Sequence, residues 1–148
     1  MDVRQADLTR GVDQGFAKSL RALCSKDTHP AGSILFRRRD PAQYAYLLLS
    51  GRVRLRLGEG GHVAHEVSRP GTTFGWDSLA GRETYSATAE CVDSVTVLKL
   101  DREDFERLAA EDPKNAMIYY KRLAELLGSR LVESYERLEK LFKGETRV

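Results

Sequence analysis

The sequence predicts a mainly β domain, a sandwich or barrel-like roll, with helices at both ends. Between residues 31 and 100, short apolar stretches alternate with turns containing glycine or proline, as in many antiparallel β folds. Outside this region the apolar residues recur every three to four positions, which indicates helices. With 148 residues, 41% of them hydrophobic, the chain can form one domain with a buried core. We expect an N-terminal helical segment over 1–30, a β-roll over 31–100 and C-terminal helices over 101–143.

Six segments of the central region have the character of strands. The clearest is RVRLRL, in which Val53, Leu55 and Leu57 alternate with arginines. This period of two places the aliphatic side chains inside the roll and the arginines in water. The glycine-rich stretch Gly58–Gly61 predicts a hairpin turn after it. The predicted strands are Ser33–Arg37, Tyr44–Leu49, Arg52–Leu57, His62–Val67, Ser86–Glu90 and Ser94–Leu100.

Helical periods precede and follow the strands. The first helix is short, ends before His29, and has its apolar positions at Phe16, Leu20, Leu23 and Cys24. Asp101 can cap a second helix, with Asp104 at its third position. Asp112-Pro113 can start a third, since aspartate is favoured as a cap and proline at the first helical position. No strong helix breaker follows before Lys143-Gly144, so this helix would be roughly 45 Å long.

The long helix carries an apolar seam with alternating steps of three and four, as in a coiled coil. The seam comprises Met117, Tyr120, Ala124, Leu127, Leu131, Ser134, Leu138 and Leu141. A second apolar stripe, Tyr119, Leu123 and Leu126, covers only the first half and predicts packing on the chain's own roll. Because so long a helix would protrude from a small roll, we expect a homodimer joined by a two-helix coiled coil. The alternative is a helix lying flat along its own domain.

Composition and motifs exclude several classes of function. A net charge of +2 gives no general attraction to nucleic acid or membrane. No secretory signal or membrane-length apolar run occurs, and Cys24 and Cys91 have no metal-like spacing, so we expect a cytoplasmic protein with free thiols. His62 and His65 would point to opposite faces of a strand, so no metal site is predicted. No catalytic motif occurs, and we expect no enzymatic activity.

Four motifs occur in an order that identifies a family. They are AGSILFRRRDPAQYAYLLLSGRVRL, RPGTTFG, YSATAE and VLKLDREDFERL. In this order and spacing they resemble the cyclic-nucleotide-binding domains of catabolite-activator and Fnr-type bacterial regulators. The resemblance implies a double-stranded β-helix (jelly-roll β-roll) with a short N-terminal helix and a long C-terminal dimerisation helix.

The family's ligand site is the phosphate-binding cassette, which usually reads FGE, an aliphatic-small pair, about seven residues, and then R-S/A-A-T. The usual glutamate, which accepts the ribose 2′-hydroxyl, falls at Trp76. The usual arginine, which pairs with the cyclic phosphate, falls at Tyr85. By resemblance the candidate ligand pocket comprises Phe74, Gly75, Trp76, Asp77, Ser78, Arg82, Tyr85, Ser86, Ala87 and Thr88.

These two replacements argue against the family's usual ligand. A phosphate taken from water needs charge-assisted donors, and Asp77 would repel an anion. We therefore expect no cyclic AMP or cyclic GMP as cofactor. Three functions remain open: a sensor of a different small ligand, with Trp76 and Tyr85 offering aromatic surface; a ligand-free scaffold for a protein partner; or cyclic-nucleotide binding restored by Arg82. A basic face formed by Arg37–Arg39 with Arg52, Arg54 and Arg56 could serve the scaffold, although ordinary solvated strand exteriors and a turn explain these arginines better.

The variant GWDSL also resembles a subset of short, stand-alone domains of this family.

The family commonly binds DNA through a helix-turn-helix after the long helix. Here six residues follow Phe142, whereas a helix-turn-helix needs several tens. We therefore expect no direct DNA binding in that manner, whether the chain is a stand-alone domain or a fragment of a longer regulator.

Overall fold

Two separate four-stranded antiparallel sheets form the roll of this protein. The computed structural model describes residues 6–58 and 61–145. The strands are β1 (Ser25–His29), β2 (Ile34–Phe36), β3 (Tyr44–Ser50), β4 (Val53–Arg56), β5 (Val63–Val67), β6 (Thr73–Phe74), β7 (Thr88–Cys91) and β8 (Val95–Asp101). One sheet has the order β1-β8-β3-β6 and the other β2-β7-β4-β5. The helices are α1 (Gln14–Leu23), α2 (Arg102–Glu111) and α3 (Pro113–Glu145). The predicted β-roll with a short N-terminal helix and a long C-terminal helix is confirmed.

The sequence missed two strands and misplaced one side chain. β1 lies in the segment predicted to be helical over 1–30, and its polar sequence SKDTH carries no apolar alternation because it is a largely exposed edge strand paired only with β8. β6 has two residues, too few for a periodic signal. Leu57, predicted to face inward, is 44% exposed because β4 ends one residue earlier. Of the predicted turn Gly58–Gly61, residues 59 and 60 lie outside the described residues.

Two apolar clusters hold the domain together, and β8 contributes to both. The roll-interior cluster lies between the two sheets and includes Phe36, Leu48, Val53, Phe74, Tyr85, Val95 and Val97. The helical cluster covers the outer face of the first sheet and includes Phe16, Leu20, Leu79, Leu98, Leu100, Phe105, Tyr119 and Leu123. Since side chains alternate across a strand, Val95 and Val97 face one cluster while Leu98 and Leu100 face the other. Both faces of β8 are therefore buried.

The helices begin where their caps predict. Asp101 accepts hydrogen bonds from the backbone N–H groups of Glu103 and Asp104, at 3.0 and 3.2 Å. α3 begins at Pro113, directly after Asp112. These side-chain oxygens bind N–H groups that have no partner within the helix.

A buried amide joins the beginnings of α1 and α3. Asn115 is 5% exposed, and its Nδ2 donates to Asp13 and to Asp112, at 2.9 Å each. Asp13 also caps α1 by accepting from the N–H of Phe16 at 2.8 Å, and this bond, with the one from Asn115, lowers the pKa of Asp13. The Asp112 cap was predicted from the sequence, whereas the Asp13 cap and the contact between the two helix starts were not.

The helix α3 lies along its own roll further than its sequence predicts. Tyr119 and Leu123 are buried in the helical cluster. The same face continues with polar residues: Glu133 lies 3.7 Å from His65, and Arg137 donates to the backbone carbonyl of Ala64. The contacts of α3 with its own roll therefore reach Arg137, although residues 131–144 are exposed. Among the described helices, none is both long and apolar enough to cross a bilayer.

Candidate functional site

The candidate site begins at the end of β6, where the chain turns sharply. Gly75 has a φ of +71°, a conformation that L side chains rarely adopt. A Cβ atom here would lie 3.1 Å from the Tyr44 carbonyl oxygen and 3.2 Å from the Tyr46 ring. A 3₁₀ turn, Trp76–Ser78, follows and leads into the loop before β7. Gly75 is thus required by the backbone, whatever the site binds.

Tyr85, at the position of the family's arginine, fills the interior of the roll. Its ring stacks on Phe36 with centroids 3.9 Å apart, and the residue is 3% exposed. The hydroxyl donates to the Tyr44 carbonyl at 2.6 Å and accepts from the Tyr44 N–H at 3.0 Å. Burial raises the pKa of Tyr85 to about 12, so the group is neutral at physiological pH. Tyr85 therefore offers no aromatic surface to a ligand, contrary to the expectation from sequence.

Asp77 supplies the negative charge within this cassette. Its side chain is 3% exposed, and Oδ1 accepts from the backbone N–H of Ser86 at 3.3 Å and from its hydroxyl at 3.2 Å. Oδ2 forms an ion pair with Nε of Arg82 at 3.2 Å. The Arg82 N–H does not point at this oxygen, so the contact lacks a hydrogen bond. The Asp77 carboxylate thus accepts hydrogen bonds from both donors of Ser86, the backbone N–H and the hydroxyl.

The cassette spans both apolar clusters. Phe74 and Tyr85 belong to the roll interior, whereas Trp76 and Leu79 pack in the helical cluster, which also contains Tyr119 of α3. Trp76 and Tyr85 therefore do not form a shared surface. The buried Ser78 donates to the carbonyl of Gly75 at 3.0 Å and closes the 3₁₀ turn. Nothing in the sequence indicated that the 3₁₀ turn packs in the same cluster as α3.

The last cassette residue, Thr88, contributes to a different surface. Its hydroxyl accepts from the backbone N–H of Arg38 at 2.9 Å. Ala87, one position earlier, packs against the roll interior instead. Thr88 borders an open groove of about 710 Å³, which we name the arginine groove. Its lining consists of Ile34, Arg37, Arg38, Arg39, Arg56, Gly58, Thr88 and Glu90.

A second polar cleft separates α3 from the roll. It measures about 730 Å³, and its lining includes Arg10, Arg69, Arg130, Glu133 and His65. Burial lowers the pKa of Arg130, and burial together with Arg130 lowers the pKa of His65. Apolar periodicity could not reveal this cleft, because the residues that form it are mostly polar.

The predicted seam lies on the outer side of α3. Exposed seam residues include Met117 at 69%, Leu131 at 51% and Leu141 at 64%, while Leu127 is half-buried. Three exposed apolar residues of the second half of α3 were not predicted: Tyr135 and Phe142, which flank the seam, and Val132, which lies off it. Tyr135 and Phe142 follow seam positions 134 and 141 directly, so they widen the apolar stripe. Groups of three or more metal-ligating side chains are not found in the described ranges.

Comparison with known proteins places these features in one family. The family model of the cyclic nucleotide-binding domain matches residues 26–112. The cyclic AMP receptor protein of Thermus thermophilus is 36% identical over 121 residues, which are 80% of this chain and 54% of that protein. Glutaminase 1 of Bradyrhizobium diazoefficiens is 26% identical over 138 residues, 93% of this chain and 22% of that protein. This chain therefore spans only part of the length of either relative.

A solved structure shares the fold over most of the chain. The cyclic nucleotide-binding domain from Methylobacillus flagellatus superposes with a TM-score of 0.79 at 22% identity, covering 93% of this chain and 83% of that one. The family model alone spans more than half of the present sequence, including the whole cassette. The chain belongs to the cyclic nucleotide-binding domain family.

Proposed function

We propose that this protein is a non-catalytic regulatory module whose cassette does not bind cyclic AMP or cyclic GMP. One observation carries the proposal: the two places where a cyclic phosphate would be held are already taken. Tyr85 fills the roll interior with a neutral ring, and Asp77 accepts hydrogen bonds from both the N–H and the hydroxyl of Ser86.

The energetics favour this internal arrangement over a bound phosphate. A cyclic phosphate would have to displace the Asp77 carboxylate from Ser86 and would meet that buried negative charge at close range. Leaving a buried charge without its partner costs on the order of 3–5 kcal/mol. Such a cost lowers affinity by roughly 100-fold to 1,000-fold or more. Among residues 6–58 and 61–145, no arginine lies in the roll-interior cluster to compensate for it; by resemblance, Tyr85 stands at the matching position.

The alternative, cyclic-nucleotide binding restored by Arg82, draws support from the relative named cyclic AMP receptor protein. Arg82 would have to leave Asp77 in order to reach a phosphate, and its side chain is 55% exposed. The present chain covers about half of that relative, so the domain could equally serve a longer regulator. The similarity to Glutaminase 1 covers 22% of that protein, and we propose no catalysis here.

We also propose how the module signals and where it acts. Trp76 and Leu79 share a cluster with Tyr119 of α3, so a change at the cassette would alter the packing of the helix. The exposed seam would join two copies into a homodimer. Cys24 and Cys91 lie in different clusters as free thiols, which suits the reducing cytoplasm. A different small ligand or a protein partner would supply the signal.

Thermal unfolding with 1 mM cyclic AMP or cyclic GMP tests the proposal. A ligand present at 100 times its Kd stabilises by about 2.7 kcal/mol, which is several degrees of Tm. We expect no shift for the natural chain. A shift that disappears in Arg82→Ala would establish the alternative, binding through Arg82.

A gain-of-binding variant provides the control. Trp76→Glu with Tyr85→Arg restores the family's two ligand residues, and adding Asp77→Ala frees the donors of Ser86. We expect the triple variant to bind more tightly than the double one. Equal affinity of the two would show that Asp77 does not block the cassette.

A further inference from the structure

The arginine groove lies outside the roll interior, on the second sheet. Four arginines and one glutamate line it. Arg56 pairs with Glu90 at 3.2 Å, which leaves Arg37, Arg38 and Arg39 as three adjacent positive charges. With four arginines and one glutamate, the lining carries a formal charge of +3, against +2 for the whole chain.

The three adjacent guanidinium groups have no carboxylate partner within the part of the chain that the structure describes. The hydrogen bonds of Arg37, Arg38 and Arg39 in the described residues use their backbone atoms. The Arg38 N–H donates to the Thr88 hydroxyl at 2.9 Å, and the Arg39 N–H donates to the Tyr85 carbonyl at 2.9 Å. The Arg37 N–H donates to the Asp40 carboxylate at 3.3 Å. The buried Nε of Arg56 likewise has no acceptor among residues 6–58 and 61–145. Guanidinium forks without acceptors are suited to a ligand that brings its own oxygens.

The backbone that presents these arginines is strained. Arg39 has a φ of +76°, in the left-handed region, and it is the one described residue other than glycine with a positive φ. A glycine would adopt this conformation without strain. The turn is held by bonds from Asp40 N–H to the Arg37 carbonyl at 3.0 Å and from Tyr85 N–H to the Asp40 carbonyl at 3.0 Å. Strain retained at a non-glycine residue is typical of functional sites.

We infer that the arginine groove binds a small ligand with two or more linked phosphate groups, such as a nucleoside triphosphate or inorganic tripolyphosphate. A volume of about 710 Å³ is in the range of small-molecule sites. Arginine forks match phosphate oxygens in pairs, and several forks in one groove match several phosphates. The hydroxyl of Thr88, whose oxygen already accepts from Arg38, has its hydrogen available to donate. The hydrogen-bonded turn holds the backbones of the three arginines next to one another.

Calorimetric titration of the full chain with tripolyphosphate in magnesium-free buffer tests this inference. We expect saturable binding that weakens with added salt, and far weaker binding of monophosphate. The double variant Arg37→Ser/Arg38→Ser should lose about tenfold in affinity for each arginine removed. ATP in place of tripolyphosphate tests whether a nucleoside adds affinity.

Arg39→Gly separates binding from folding. Because glycine suits the φ of +76°, we expect an unchanged or higher Tm together with about tenfold weaker binding. Lys18→Gln, which removes one exposed charge on α1, is the matched control and should leave affinity unchanged.

Three results would overturn the inference: no binding at 1 mM tripolyphosphate, equal loss in Lys18→Gln, or no loss in the arginine variants. Tighter binding of a single-stranded oligonucleotide at equal phosphate concentration would also overturn it, in favour of a nucleic-acid surface.

Discussion

Tyr85 is part of the core, at the position that the resemblance gives to a ligand-binding arginine. Its ring contacts Phe36, and its hydroxyl binds both backbone groups of Tyr44, so the side chain is packed, hydrogen-bonded and neutral. A buried polar group of this kind stabilises the fold only while its partners are present. The stability of the roll should therefore depend on the Tyr85 hydroxyl.

Tyr85→Phe removes that hydroxyl while keeping the ring. We expect a loss of about 1–3 kcal/mol in the free energy of unfolding, because the N–H and carbonyl of Tyr44 lose their partner. Urea denaturation measures it. Tyr135→Phe is the control, since Tyr135 is 59% exposed and should change stability by less than about 0.5 kcal/mol. Equal effects of the two substitutions would contradict the role given to the Tyr85 hydroxyl.

Tyr85→Phe should also change how the free energy of unfolding depends on pH in alkaline solution. Burial raises the pKa of Tyr85 from 10.0 to about 12, so the unfolded chain releases this proton first as the pH rises. The stabilisation is complete below pH 10 and is lost between pH 10 and about 12. Tyr46 and Tyr119 shift in the same direction, also through burial. Tyr85→Phe should therefore lose less stability than the natural chain over that interval.

At the scale of elements, apolar periodicity predicted most strands and all three helices, and it failed where polar residues form the contacts. β1 has the sequence SKDTH and is held by pairing with β8, which leaves no apolar pattern. α3 was predicted to meet the roll only as far as Leu126, yet Glu133 and Arg137 extend that face. The positive φ of Arg39 was also hidden, since arginine, unlike glycine, asparagine or aspartate, does not indicate a left-handed conformation in a sequence.

The two faces of α3 can be distinguished by the same substitution at two positions. Leu123 is 4% exposed in the helical cluster, and Leu131 is 51% exposed on the seam. Leu123→Ala should cost about 2–4 kcal/mol at every protein concentration, through lost burial and a cavity. Leu131→Ala should lower stability only at concentrations where the chain associates. Urea denaturation at two concentrations, 100-fold apart, measures both. A concentration-independent loss at Leu131 would mean that the seam packs within one chain.

For the whole molecule, the cassette links the roll to the surface that would join two copies. Phe74 and Tyr85 lie in the roll interior, and Trp76 and Leu79 lie in the cluster that holds α3. The outer face of α3 then presents its exposed seam. The candidate ligand-sensing region and α3, which carries the proposed dimer surface, therefore pack in one cluster. The pocket was predicted as one site, but its residues are divided among the roll interior, the helical cluster and the arginine groove. Its division could not be predicted because motif matching aligns positions, not side-chain directions.

The seam should hold two copies of the chain together. Leu131→Ser/Leu138→Ser/Leu141→Ser removes three exposed apolar side chains that contribute little within one subunit, at 51%, 47% and 64% exposure. We expect the natural chain to sediment as a dimer at micromolar concentration and the triple variant as a folded monomer, with an unchanged circular dichroism spectrum. Val132→Ser is the matched control, because Val132 is 54% exposed but lies off the seam. A triple variant that remains dimeric, or a Val132 variant that dissociates equally, would place the contact between copies on another face, since coiled-coil packing depends on the residues of the seam.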